Sequence, residues 1–150
     1  MSENERMQPK TEERIMAAVA HGAIVGGTMG LPVAAIIWVT GREKSPYVRF
    51  QALQALAYQL VGTVGSILCW ALWGGCYFVS FLPFIVAPER YNDAPPPAFF
   101  ISLASMVIPI ALMGLWWLYG LIAGVMALTG RDFRYLILGR QLERYLAAHE

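Results

Sequence analysis

Charge is missing from three long stretches of this chain, and that gap constrains the fold more than any motif does. Residues 15–41, between Arg14 and Arg42, hold no Asp, Glu, Lys or Arg. The same is true of residues 50–88, between Arg49 and Glu89, and of residues 94–130, between Asp93 and Arg131. A helix that crosses the hydrocarbon core needs roughly 20 apolar residues, and each stretch exceeds that. Three buried core helices of this length would leave a soluble chain of 150 residues with little polar shell. Only 14% of the residues are charged and 57% are hydrophobic, against about 25% charged in an ordinary soluble domain. The expected fold is an all-α integral membrane protein with three membrane helices and a C-terminal amphipathic helix. A net charge of +1 offers no basic face for nucleic acid.

The whole chain reads as a single membrane domain. Residues 1–14 form a polar tail without the basic start or A-x-A site of a cleaved signal peptide, so it is expected to be retained. Residues 15–40 form a first helix broken between Gly26 and Pro32, since Gly27, Gly30 and Pro32 crowd its middle. It is either one kinked crossing or a re-entrant pair of half-helices, residues 15–25 and 32–40; length favours the kinked crossing. Residues 45–86 begin as "SPYVRFQALQAL", with Ser45 placed to cap a helix and Pro46 at its first position. That segment is too long for one crossing and reads as an interfacial ramp leading into a span, with Tyr47, Arg49 and Tyr58 as anchors. Residues 87–97 are a proline-rich loop, residues 98–129 the third helix with a kink expected at Pro109, and residues 131–148 the amphipathic tail helix.

Lys and Arg give the orientation. The first loop and the C-terminal tail hold seven of them and share one side in either reading of the first helix. A re-entrant first helix adds the N-terminal tail to that side and leaves only Arg90 opposite. The expected location is a bacterial inner (cytoplasmic) membrane with the C-terminus in the cytoplasm.

Few residues offer chemistry. His21 lies four residues after Ala17, a spacing that lets a flat pigment or haem ring approach a helix and take an imidazole ligand. His21 is therefore a candidate tetrapyrrole ligand, with a hydrogen-bonded helix-packing histidine as the plainer alternative. Cys69 and Cys76 lie about two turns apart on one helix, roughly 10 Å, too far to bridge. Ala18, Gly22, Gly26 and Gly30 repeat at four, as do Gly120 and Gly124. Such stripes let helix backbones approach closely, within the chain or against a second copy or another integral membrane protein. Trp70, Trp73, Trp116 and Trp117 fall near span centres, where helix packing is the simplest role for them. No acidic or basic residue lies deep in a span, which argues against a pump or coupled transporter. No catalytic pair, metal cluster or phosphate loop is legible, and no enzyme activity is expected.

Three strings also carry a resemblance: "EERIMAAVAHGAIVGG", "LPVAAIIWVTGREKSPYVRFQALQAL" and "GRDFRYLILGRQLERYL". Together they resemble a small bacterial membrane family of unknown function grouped with the Tic-like proteins, named after the chloroplast inner-envelope translocon. The resemblance runs from about Glu12 to Leu146 and is most specific over Ser45–Leu56. Gln51 stands where that pattern usually has histidine, and Leu136 where it often has proline. It implies three or four membrane helices and no known catalysis. The expected function is docking, as an accessory subunit of a membrane complex or a translocon-like component. Gly22, Gly26, Gly30, Pro46, Arg49, Gln51, Gln54, Gly120 and Gly124 would carry the contacts, with membrane lipid around them. Two alternatives are a pigment- or haem-binding subunit and a lipid- or solute-conducting bundle.

Overall fold

The computed structural model describes residues 9–41, 43, 45–91 and 94–148. Most of the polar N-terminal tail lies outside them, as do Arg42 and Lys44 of the first loop and Asn92 and Asp93 of the second. Helix is the regular structure throughout, and no strand occurs among the described residues. Three stretches are long and apolar enough to cross a membrane: Thr11–Gly41, Pro46–Val86 and Pro97–Leu128. Large apolar side chains stand exposed along all three, among them Ile36, Leu72 and Ile101. So wide an apolar surface suits lipid and not water. The chain is an integral membrane protein.

The first stretch is broken where the glycines predict, and the break reverses the chain. Helix α1 (Thr11–Gly22) runs into a 3₁₀ turn (Ala23–Met29), and α2 (Gly30–Gly41) follows. Gly27 has φ 58° and ψ −128°, a backbone region that side chains disfavour. Past it the arms lie antiparallel. A Cβ on Gly41 would sit 3.6 Å from the Met16 methyl, whereas one straight helix would hold residues 16 and 41 about 37 Å apart. The expectation of a single kinked crossing gives way to a hairpin. Each arm has 12 residues, about 18 Å, and falls short of a core of roughly 30 Å. Pro32 lies in the first turn of α2, where its missing N–H leaves no bond unmade.

Helix α3 (Pro46–Val86) begins as the sequence indicates. The Val48 N–H donates to Ser45 Oγ at 3.3 Å, and Pro46 takes the first helical position. The helix has 41 residues, about 61 Å, roughly twice the hydrocarbon core. The third stretch is two helices, α4 (Pro97–Ala104) and α5 (Val107–Leu128). They part at Ser105–Met106, upstream of the expected kink, because a proline ring clashes with the carbonyl four residues before it. For Pro109 that carbonyl belongs to Ser105. The break is capped: the Ser105 hydroxyl donates to the Ser102 carbonyl at 2.7 Å and the Trp73 indole N–H to the same oxygen at 3.1 Å.

Helix α5 ends at a left-handed glycine, Gly130, with φ 76°. The Gly130 N–H donates to Ala127 and the Arg131 N–H to Met126, the paired bonds of a Schellman turn. The tail is not helical from residue 131 as expected. It is irregular through Tyr135, with the Phe133 N–H turned back onto the Arg131 carbonyl at 3.0 Å, and α6 spans only Leu138–Ala147. The chain divides into two compact units. One holds the chain up to Thr63 and from Trp116 onward, and the other is Val64–Leu115. The polar site belongs to the first.

Candidate functional site

Alanine-bearing faces bring α1, α2 and α3 together. Ala20, Ala34, Ala52 and Ala55 are buried against one another, and methyl-sized side chains permit close approach of the backbones. The same faces carry the buried polar groups. On α1 the imidazole of His21 is 1% exposed. On α3 Gln51, Gln54 and Tyr58 are buried at steps of three and four residues, and Gln59 beside them is buried too. Buried polar groups need partners, and here the irregular segment after Gly130 supplies most of them.

Gln54 treats that segment as a neighbouring strand would. Its Oε1 accepts the Tyr135 N–H at 3.0 Å and its Nε2 donates to the Phe133 carbonyl at 3.1 Å. Gln51 Nε2 donates to the same carbonyl at 3.1 Å and to Asp132 Oδ1 at 3.3 Å. These donors fix the orientation of the Gln51 amide, so its Oε1 faces His21 Nε2 at 3.1 Å. His21 Nε2 must therefore donate. Nδ1 of the neutral ring then accepts, from the Tyr135 hydroxyl at 3.0 Å. The relay runs in one direction, from Tyr135 through His21 and Gln51 to the Phe133 backbone. Where α1 gives way to the 3₁₀ turn, Gln59 Nε2 donates to the Ala20 carbonyl at 2.8 Å.

Aromatic rings close the site. Tyr58 lies between Trp116 and Tyr135, stacked on each at 4.1 Å between centroids. Its hydroxyl donates to the Trp116 carbonyl at 2.9 Å. Phe133 and Tyr119 meet Tyr135 edge-on at 5.0 and 5.4 Å. Such pairs are each worth about 0.5–1.5 kcal/mol beyond the area they bury. Toward the surface, Arg134 pairs with Asp132 at 2.7 Å and with Glu143. The hydrogen bond and charge of Asp132 push its guanidinium further up than usual. All three side chains are about half exposed, so these pairs add little stability.

The arrangement works as a clamp. It holds non-helical backbone inside the protein with every one of those bonds made to the chain itself, as membrane depth demands. His21 has both ring nitrogens engaged, and a tetrapyrrole metal on either would have to displace Gln51 or Tyr135. No group of three His, Cys, Asp or Glu that could hold a metal ion occurs among the described residues.

The candidate contact residues separate. Gly30, Gly120 and Gly124 face the chain's own atoms: a Cβ on them would meet the Ala23 carbonyl at 2.1 Å, Ile24 at 2.8 Å and the Ala18 carbonyl at 3.3 Å. Gly22 has nothing within 4 Å, and Gly26 meets only Met29 at 3.8 Å. Pro46 is exposed and Arg49 half-buried on the first turn of α3. Phe133, Tyr135 and Gln59 belong to the site although the sequence does not single them out for it. Three glutamines within nine residues of an apolar helix were the available signal.

Residues 12–142 match the magnetosome magnetite crystal formation protein family, MamF/MmsF. The chain belongs to that family. This corrects the Tic-like resemblance: the first two quoted strings and most of the third lie within the matched residues, and nothing supports membership of a Tic-like family. No curated protein and no solved structure matches the chain. In this member of the MamF/MmsF family the matched residues include the whole clamp, from His21 through Gln51 and Gln54 to Tyr135.

Proposed function

We propose that this chain is a non-enzymatic membrane component of magnetite crystal formation, acting by docking to another membrane protein or a second copy. The observation that carries the reading is the family match over residues 12–142. The geometry supports docking over chemistry. The buried polar side chains hold the chain's own tail. On α1, by contrast, Gly22 opens onto a shallow apolar groove whose lining includes Ala18, Val19 and Leu128. That small-residue strip is where another helix can approach closely.

The start of α1, the α2–α3 loop and the tail share one end of the first unit. A Cβ on Gly130 would lie 2.7 Å from Arg14 Nε, and the Tyr47 hydroxyl donates to the Ala127 carbonyl at 3.2 Å. Along the sequence, the N-terminal tail, the first loop with the start of α3, and the C-terminal tail carry every Lys and Arg except Arg90, so we assign this end, and the C-terminus, to the cytoplasm. The membrane would be that of the magnetosome.

Deletion of the chain in a magnetite-forming host is expected to change crystal size or shape in electron micrographs. Gly22→Leu should reproduce the change while still fractionating with membranes at the wild-type level. Unchanged crystals after deletion would sink the role in crystal formation. A deletion effect that Gly22→Leu does not reproduce would remove the docking strip.

A further inference from the structure

Leu136 and Ile137 are 83% and 73% exposed, at the turn between the clamped segment and α6. On a water-facing tail these would be two misplaced side chains. Their depth gives another reading. Tyr135 stacks on Tyr58 and meets Tyr119. Tyr119 lies nine residues before the end of α5 at Leu128, about 13 Å back along the helix. The chain leaves α5, turns at Gly130 and descends beside the helices it came from.

The apolar collar of the first unit extends past that level. Val125 and Leu128, which lie between Tyr119 and the end of α5, are 63% and 52% exposed. Ile15 and Val19 on α1 are about half exposed as well. Leu136 and Ile137 thus add to the exposed apolar side chains that this unit already carries. Just before them, Gln51 and Gln54 satisfy the Phe133 carbonyl and the Tyr135 N–H inside the protein, which lowers the cost of bringing this backbone to membrane depth. On α6 the exposed Arg140 and Arg144 follow one and two turns later, with stems long enough to carry their charge to the headgroups.

We propose that the C-terminal segment re-enters the membrane, with Leu136 and Ile137 seated among the acyl chains of the surrounding phospholipid. The occupant of this surface is lipid, and the inference stands apart from any role in crystal formation.

The test uses the full chain in phosphatidylcholine–phosphatidylglycerol vesicles, with Cys69→Ala and Cys76→Ala to clear the native thiols. Nitroxide labels go on Leu136→Cys, Ile137→Cys, Val125→Cys and Arg131→Cys. At 136 and 137 oxygen should reach the label several-fold better than a nickel chelate does, as at Val125. Preferential access by the chelate, as at Arg131, would overturn the proposal in favour of water. Exclusion of both reagents would overturn it in favour of a second protein. If the cysteine variants fail to fold, the unaltered chain can be irradiated with a phospholipid bearing a diazirine at the acyl terminus. Adducts on Leu136 or Ile137 are expected. Adducts on Val125 but on neither of these would overturn the proposal.

Discussion

At the scale of single residues, Gln54 is the side chain on which the tail depends most directly. It accepts the Tyr135 N–H and is one of two donors to the Phe133 carbonyl. Leucine has similar bulk and neither polar atom. Gln54→Leu would leave the buried Tyr135 N–H unmatched, at about 1–3 kcal/mol, while the Phe133 carbonyl keeps Gln51. The expected result is a lower thermal midpoint in detergent and faster tryptic cleavage after Arg131 or Arg134. Wild-type melting together with wild-type cleavage would count against the clamp. That Gln51 and Gln54 matter is legible in the sequence, because an amide on an apolar helix face demands a partner. Which partner is not legible, since the tail backbone they hold lies about 80 residues downstream. His21 shows the same limit. Its spacing from Ala17 fits a flat ring, but Ala17 is fully buried and serves helix packing equally well.

Elements show how far pattern alone carries. The three apolar stretches, the Ser45–Pro46 helix start and the glycine end of α5 are all readable, because each depends on local chemistry. The break in the first stretch is readable too, but its direction is not. Length favours a crossing and charge favours a hairpin, and the decision rests on the backbone at Gly27. The tail misleads in the opposite way: its apolar residues recur at helical spacing from Tyr135 onward, yet Gln54 holds the first of them in irregular backbone before the helix begins. A consequence for the hairpin follows at this scale. Gly27→Ala places a Cβ in a backbone region that only glycine enters easily, at about 1–3 kcal/mol. Gly26→Ala, one residue earlier, meets only Met29 at an ordinary 3.8 Å and should be close to silent. Thermal unfolding of the two variants side by side checks this, and equal midpoints would mean that Gly27 carries no special strain.

Across the whole molecule, the clamp and the hairpin together decide which ends of the chain meet. The hairpin brings Met16 back to Gly41. Tyr47, one residue into α3, bonds the last turns of α5 at Ala127. Arg14 lies against Gly130, and His21 ties α1 to the tail through Tyr135. A single kinked crossing would put the two sides of the first stretch on opposite faces of the membrane. The fold puts them on the same face, and the tail with them. Lys10→Cys, Glu43→Cys and Arg131→Cys, each in a chain with Cys69→Ala and Cys76→Ala, should therefore react with a membrane-impermeant maleimide from one side of sealed vesicles. Lys10 and Glu43 reacting from opposite sides would restore the crossing and break the hairpin. The proposed small-residue contact on α1 would then be lost as well, because Gly22 could no longer face outward from an arm folded against α2 and α3. The labelling experiment thus tests the hairpin and the docking strip at once.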